Sequence, residues 1–260
     1  MLPVCFELWE GYVSRSWHLG NDIVDLVDRR HAGKAGDQRF LERVFTLEEQ
    51  RTIRASQDPD HTLWILWASK EAAFKTISKS MGTPPTFNHP LFQVTVFGSL
   101  DSEGTSKLRL EPPKGETPAI EHRGEVRYGE TLVPVHIEVN GSSLHALSWL
   151  ADSSGHTPTH RWGWEELTEE EADWRALNES RFSSVEWQCI SHRASAMARL
   201  AAKRALATSL GTSEDDLEIG CDPGVPGRRI PRVFLKGQPL EVDLSLSHHG
   251  RLLAWAFVVD

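Results

Sequence analysis

Two phrases decide the fold: SSLHALSWLADS at residues 142–153 and LSLSHHGRLLAWAF at residues 244–257. Each alternates apolar and polar side chains in the manner of an antiparallel strand, and each closes a run of strands. Upstream of the first, residues 45–81 have a helical pattern. Thr46 stands as N-cap with Glu49 three residues on, a capping-box arrangement. Gly82 and Pro84-Pro85 then stop the second helix of this stretch. The strands QVTVFGSL (93–100), PVHIEV (134–139) and LHALSWL (144–150) follow, with the polar, turn-rich residues 101–118 read as a long hairpin loop. The second half repeats the order. A helical region runs from Leu167 to Leu210 with a break around residues 180–184, and Gly211 ends it. Strands DLEIGC (216–221), PRVFLKG (231–237), LEVDLSLS (240–247) and LLAWAFVV (252–259) come next. The halves therefore predict a duplicated α+β module. The expected architecture is a pseudo-dimer, each module a helix packed on a three-stranded antiparallel sheet. The Ser-, Gly-, Pro- and Thr-rich residues 151–164 serve as linker, giving modules 1–152 and 153–260. The acidic residues from Glu165 to Asp173 read as a solvated helix start.

Composition sets the outer bounds. The chain has 260 residues, enough for one large domain or two modest ones, with 25% charged and 39% hydrophobic residues. A formal charge of −9 argues against a general nucleic-acid binder. Cys5, Cys189 and Cys221 show no CxxC spacing and leave one unpaired in any disulfide scheme, which suits a reducing compartment. The N-terminus lacks a signal-peptide layout, and no stretch approaches the roughly 20 apolar residues of a membrane span. A soluble, cytoplasmic protein is expected, with neither nucleic acid nor membrane as partner.

Three segments carry chemistry. In LGNDIVDL (19–26) an acid, Asp22, sits within an apolar, β-branched strand, and a buried charge needs a compensating partner. In LWASKEAAFK (66–75) Glu71 and Lys75 share a helix face, with Trp67 one turn before Glu71. A surface ion pair is the plain reading of Glu71 and Lys75, but Trp64, Trp67 and Phe74 make that helix apolar on several sides. Asp22 with Glu71 would form a two-carboxylate oxygen site of the kind suited to Mg²⁺. In the third segment Ser247-His248 ends a strand before Gly250, where a hydroxyl and an imidazole can meet a phosphate or ribose. No GxSxG, HExxH, Walker A or GxGxxG is present. The second helical region is locally basic, with Arg175, Arg181, Arg193, Arg199, Lys203 and Arg204 against Glu179 and Glu186. That balance points to a phosphate-bearing ligand or an acidic protein partner, with an ordinary solvated helix face as the alternative.

Together these residues resemble the 4′-phosphopantetheinyl transferases, the family that includes holo-acyl-carrier-protein synthase. Its pattern is a strand GxD, an FTxxE turn, a helix (W/F)xxKExxxK and a strand-end SH. Here it stands as Gly20-Asn21-Asp22, the stretch from Phe45 to Glu49, Trp67 to Glu71 with Lys75, and Ser247-His248. Two departures from the long members of the family stand out: the SH half follows the GxD half instead of preceding it, and Val24 occupies the second acidic position of GxDxE. Residues 200–213 resemble the catalytic helix of a single-module synthase, with Arg204 where that helix has glutamate.

The resemblance implies one composite site at the module interface of a monomer. It implies transfer of phosphopantetheine from coenzyme A to a serine of an apo acyl or peptidyl carrier protein. Asp22 and Glu71 would hold Mg²⁺, Glu71 would accept the serine proton, and Lys75 and Lys70 would stabilise the leaving phosphate. Ser247, His248 and Arg193 would hold CoA, with Arg175 or Arg181 as further phosphate partners. His249, adjacent on the turn, is expected to point elsewhere. The alternatives are a non-catalytic module of the same fold that binds CoA or a carrier protein, and a magnesium-dependent phosphotransferase using another nucleotide.

Overall fold

The computed structural model describes residues 17–81, 84–100, 119–150, 160–167, 174–177, 179–221 and 230–259. The long hairpin loop, Gly82, Cys5, the first part of the linker and most of the acidic run lie outside these residues. In the first half the strands are β1 (His18–Asp25), β2 (Gln93–Leu100), β3 (Ile120–Tyr128), β4 (Thr131–Asn140) and β5 (Ser143–Leu150). Its helices are α1 (Gln38–Val44), α2 (Leu47–Ala55) and α3 (Pro59–Ser80). The second half has β6 (His160–Glu166), α4 (Trp174–Leu177), α5 (Ser184–Cys189) and α6 (Arg193–Leu210). Then come β7 (Leu217–Cys221), β8 (Pro231–Leu235), β9 (Gln238–Pro239), β10 (Val242–His249) and β11 (Leu252–Val259). The molecule is α+β, with every strand ladder antiparallel.

The strand count corrects the expectation. The first half forms a five-stranded sheet, order β1-β5-β4-β3-β2, and the second half forms two three-stranded sheets, β10-β11-β6 and β7-β8-β9. The linker also changes character, because residues 160–166 are strand β6, paired along β11. Glu165 and Glu166 therefore belong to a strand and not to a helix start.

Helix α3 is the centre of the first half. Asp58 caps it by accepting from the His61 N–H, and Pro59 opens it where no intrahelical N–H partner is needed. The helix lies so close to β1 that a Cβ on Gly20 would stand 2.1 Å from the Ala72 carbonyl oxygen, so only glycine fits there. Around it Leu63, Ile77, Val24, Val135, Ile137 and Leu144 form the main core.

The two halves share a device that their sequences hardly advertise. Thr46 caps α2 and Glu49 returns to the cap N–H; Ser183 and Glu186 do the same for α5. Each glutamate is then buried against a lysine of the long helix. Glu49 holds Lys70 at 2.8 Å, and Glu186 holds Lys203 at 3.0 Å. Each also accepts a strand N–H, from Val94 on β2 and from Ile219 on β7. The equivalence puts Arg204 at the position of Glu71. The strand orders correspond as well, β6-β11-β10 with β8-β7 alongside matching β1-β5-β4 with β3-β2.

The halves meet along β1 and β10. Strand β1 is a sheet edge whose outward N–H groups need partners. Side chains of β10 supply them at every second residue. The N–H groups of Leu19, Asn21, Ile23 and Asp25 donate to Asp243 Oδ2, Ser245 Oγ, Ser247 Oγ and His249 Nδ1, at 2.5–3.2 Å. Lys79 closes the base of this row, donating to Leu19 O, Asp243 Oδ1 and Leu244 O. Apolar contacts flank it, Leu19 and Leu147 with Ala256 and Val258, and Ile23 with Leu252, Ala254 and Trp164. Elsewhere, Cys189 and Cys221 lie together with Cα atoms 5.9 Å apart, a disulfide spacing not expected from their positions in the chain.

Candidate active site

Helix α3 runs antiparallel to β1, so positions along it are read against the strand in reverse. Lys79 reaches Leu19, Thr76 lies over Gly20, and Lys75 donates to Asn21 O at 2.7 Å and to Asp22 Oδ1 at 3.0 Å. From the other half, Ser247 Oγ donates to the same Asp22 Oδ1 at 2.7 Å. Both donors act on Oδ1, which leaves Oδ2 as the oxygen that a cation can take. Glu71 stands one helical turn before Lys75, three-quarters buried, with His89 Nε2 at 3.7 Å. Asp22, Lys75 and Ser247 are thus in contact from β1, α3 and β10, with Glu71 one turn away along α3.

His248 joins them. Although the residue is exposed, its ring is packed edge-on against His192 at 4.6 Å, and the charges of Lys75 and Asp22 act on it. Burial of the ring, then the His192 and Lys75 charges, hold its pKa down at about 4. His248 is therefore neutral near pH 7. His192 is the N-cap of α6, and Arg193 is the first residue of that helix, so Arg193 begins beside the His248 ring. Arg175 packs over the Trp187 ring, and Arg181 lies in a 3-10 turn; neither is placed at Asp22.

Lys70 is not brought to this site. It is fully buried, held by both oxygens of Glu49 and donating to the Phe92 and His89 carbonyls. Burial lowers its pKa, against the opposing pull of Glu49. Adjacent residues on a helix point about 100° apart, and here Lys70 turns to Glu49 while Glu71 lies beside His89. His249 points away from His248, as expected, and its Nδ1 is the last partner in the β1 row.

The metal assignment can be tested against the donor set. Asp22 and Glu71 are hard oxygen donors, and no group of three His, Cys, Asp or Glu among the described residues forms a closed cage. A pair of carboxylates suits Mg²⁺, which completes its shell with water and substrate phosphate. The matching position of the second half is filled differently. Gly163-Trp164-Glu165 of β6 stands where Gly20-Asn21-Asp22 stands in β1, and Glu165 binds Arg204 at 2.5 Å. A guanidinium neutralises the carboxylate there.

The strand β1 and the helix α3 also lie within the segment that can be compared with known families. Residues 18–119 match the model of the 4′-phosphopantetheinyl transferase superfamily. Among curated proteins, the holo-[acyl-carrier-protein] synthase of Chlamydia caviae is 34% identical over 65 residues, 25% of this chain and 53% of that protein. Those of Azoarcus sp. and Syntrophotalea carbinolica are 33% and 36% identical, covering 27% and 24% of this chain and 56% and 49% of theirs. The chain spans about half the length of the curated relatives it matches. Among the described residues no helix is long and apolar enough to cross a membrane.

Sequence reasoning missed two groups near this site, His89 and His192, and, away from it, the hold of Glu49 on Lys70. Only Glu49 carried a clue, its capping-box spacing from Thr46.

Proposed function

We propose that this protein transfers 4′-phosphopantetheine from coenzyme A to a serine hydroxyl of an apo acyl or peptidyl carrier protein, releasing adenosine 3′,5′-bisphosphate. The observation that carries the reading is the meeting of Asp22 and Lys75 from one half with Ser247 and His248 from the other, with Glu71 one helical turn from Lys75. Two modules, 1–152 and 153–260, form a pseudo-dimer in one monomeric chain. The matched Glu49–Lys70 and Glu186–Lys203 pairs support that duplication.

In the reaction the serine oxygen attacks the β-phosphorus of CoA, and the pyrophosphate P–O bond to the nucleotide breaks. Asp22 and Glu71 would hold Mg²⁺, which when bound supplies charge neutralisation at the pyrophosphate. Glu71 accepts the serine proton, being the more exposed carboxylate of the two. Lys75 meets the charge that gathers on the leaving phosphate. Ser247 holds the Asp22 carboxylate in orientation, and neutral His248 donates to the 3′-phosphate with Arg193 beside it. Only one site per chain is competent, because Arg204 replaces the second carboxylate in the other half. Intact-mass analysis of an apo carrier protein incubated with CoA, Mg²⁺ and this protein tests the reading. A mass gain of one phosphopantetheine supports it; CoA or carrier binding without a mass gain supports a non-catalytic module.

A further inference from the structure

His89 has no place in the motifs that led to the site, yet it is the group nearest the Glu71 carboxylate, with Nε2 at 3.7 Å from Oε1. Its position is fixed by three features. The ring is stacked on Trp67, centroids 4.8 Å apart, and lies against Phe87 at 4.0 Å. Pro90 follows it in a 3-10 turn, His89–Leu91, closed by the Phe92 N–H donating to His89 O. Lys70, locked by Glu49, donates to the same carbonyl at 3.2 Å. Side chains and backbone thus hold one imidazole against one carboxylate, and Lys70 gains a purpose that its neighbour in sequence explains.

The ring nitrogen that faces Glu71 is buried and has no hydrogen-bond partner. A buried polar group left unpaired is costly, so a nearby acceptor should be its partner in the working state. Glu71 is that acceptor, and a small rotation of its carboxylate closes 3.7 Å to hydrogen-bond distance. We propose that His89 is a positioning residue for Glu71: its Nε2–H donates to the carboxylate and sets the direction in which the second oxygen faces metal and substrate. The proposal rests on the transferase reading for its kinetic consequence, but the contact itself does not depend on that reading. A ligating carboxylate that loses an orienting hydrogen bond loses affinity or rate by about 10- to 100-fold.

Two variants separate the hydrogen bond from the stack. His89→Phe keeps an aromatic ring between Trp67 and Phe87 and removes the donor; His89→Gln keeps a donor at similar reach. The His89→Phe variant should melt within a few degrees of the parent. It should bind Mn²⁺ about 10-fold more weakly by calorimetry and lose kcat by about 10- to 100-fold, with KM for CoA nearly unchanged. His89→Gln should recover most of both losses. In the metal-free protein, long-range ¹H–¹⁵N spectra should show His89 held as the Nε2–H tautomer, and Glu71→Ala should release it to a mixture. Parent-like Mn²⁺ affinity and kcat in His89→Phe, or a tautomer indifferent to Glu71→Ala, overturns the proposal. If the parent shows no transfer, or binds no Mn²⁺, the transferase or metal reading fails instead. The tautomer comparison then decides His89 alone.

Discussion

At the scale of single residues, Asp22 shows how much one side chain depends on its neighbours. Its strand position puts it on the α3 face, and Lys75 with Ser247 fixes one of its oxygens. Asp22→Ala should abolish transfer, and excess chelator should silence the parent protein until Mg²⁺ or Mn²⁺ is restored. Full activity in chelator would remove the metal from the account. Lys75 and His248 should separate in steady-state kinetics. Lys75→Ala should lower kcat with a smaller change in KM for CoA, since charge gathers on the leaving phosphate only during transfer. His248→Ala should raise KM for CoA and blunt discrimination against dephospho-CoA, because a phosphate contact made in ground and transition states alike is uniform binding. The reverse pattern would mean that the two roles are exchanged.

At the scale of elements, the buried Glu49–Lys70 pair joins α2, α3 and β2, and the Glu186–Lys203 pair does the same for α5, α6 and β7. Removing one partner strands the other charge away from water. Lys70→Met should therefore destabilise the protein by about 3–5 kcal/mol in chemical denaturation, and Glu49→Gln combined with Lys70→Met should cost clearly less than the sum of the single changes. Additive losses would mean that the two side chains do not act as a pair. The row between β10 and β1 works by a different rule. The alternation in DLSLSHH resembles a solvent-facing strand, yet Asp243, Ser245, Ser247 and His249 turn to the edge N–H groups of β1. A shift of one residue would present leucines to those donors, so the register of the two halves is set by this pattern.

Across the whole molecule, two consequences follow from how the halves join. CoA titrated calorimetrically should saturate at one site per chain. Arg204→Glu should leave that number at one, because β6 carries Gly163-Trp164-Glu165 and no GxD strand; two sites would contradict a single composite centre. The second consequence concerns acid. His145 is buried beside Asn21 between the sheets, its pKa pushed down to about 3 by burial and then by the His136 and Lys75 charges. Burial likewise holds His160 at about 4. Both are neutral when folded, whereas the unfolded chain takes up protons near the ordinary histidine value of about 6.5. Stability is therefore complete above that value and drains as pH falls toward 4, and further toward 3 for His145. The loss from His145 alone is on the order of a few kcal/mol. Urea midpoints at pH 7, 5.5 and 4.5 should fall in that order; a flat series would place these rings in water.

By itself the sequence determined the local elements and the chemistry-bearing face of one helix. The Thr46–Glu49 cap, the stop after α3, the strand phrases and the Glu71–Lys75 spacing are short-range facts, fixed by backbone geometry within a few residues. Even the loss at Arg204 was legible, since its position is measured from a single helix. Tertiary structure decided the rest. That Lys70 turns inward and Glu71 outward depends on Glu49, 21 residues away in sequence. That β6 is a strand depends on β11 lying beside it. That His89 meets Glu71 depends on the return of the chain after α3. The polar residues of β10 found their partners 224 positions earlier, on β1. Periodicity reports which side of an element is apolar, but it carries no information about which distant backbone donor a serine will satisfy, and the composite site is made of such long-range pairings.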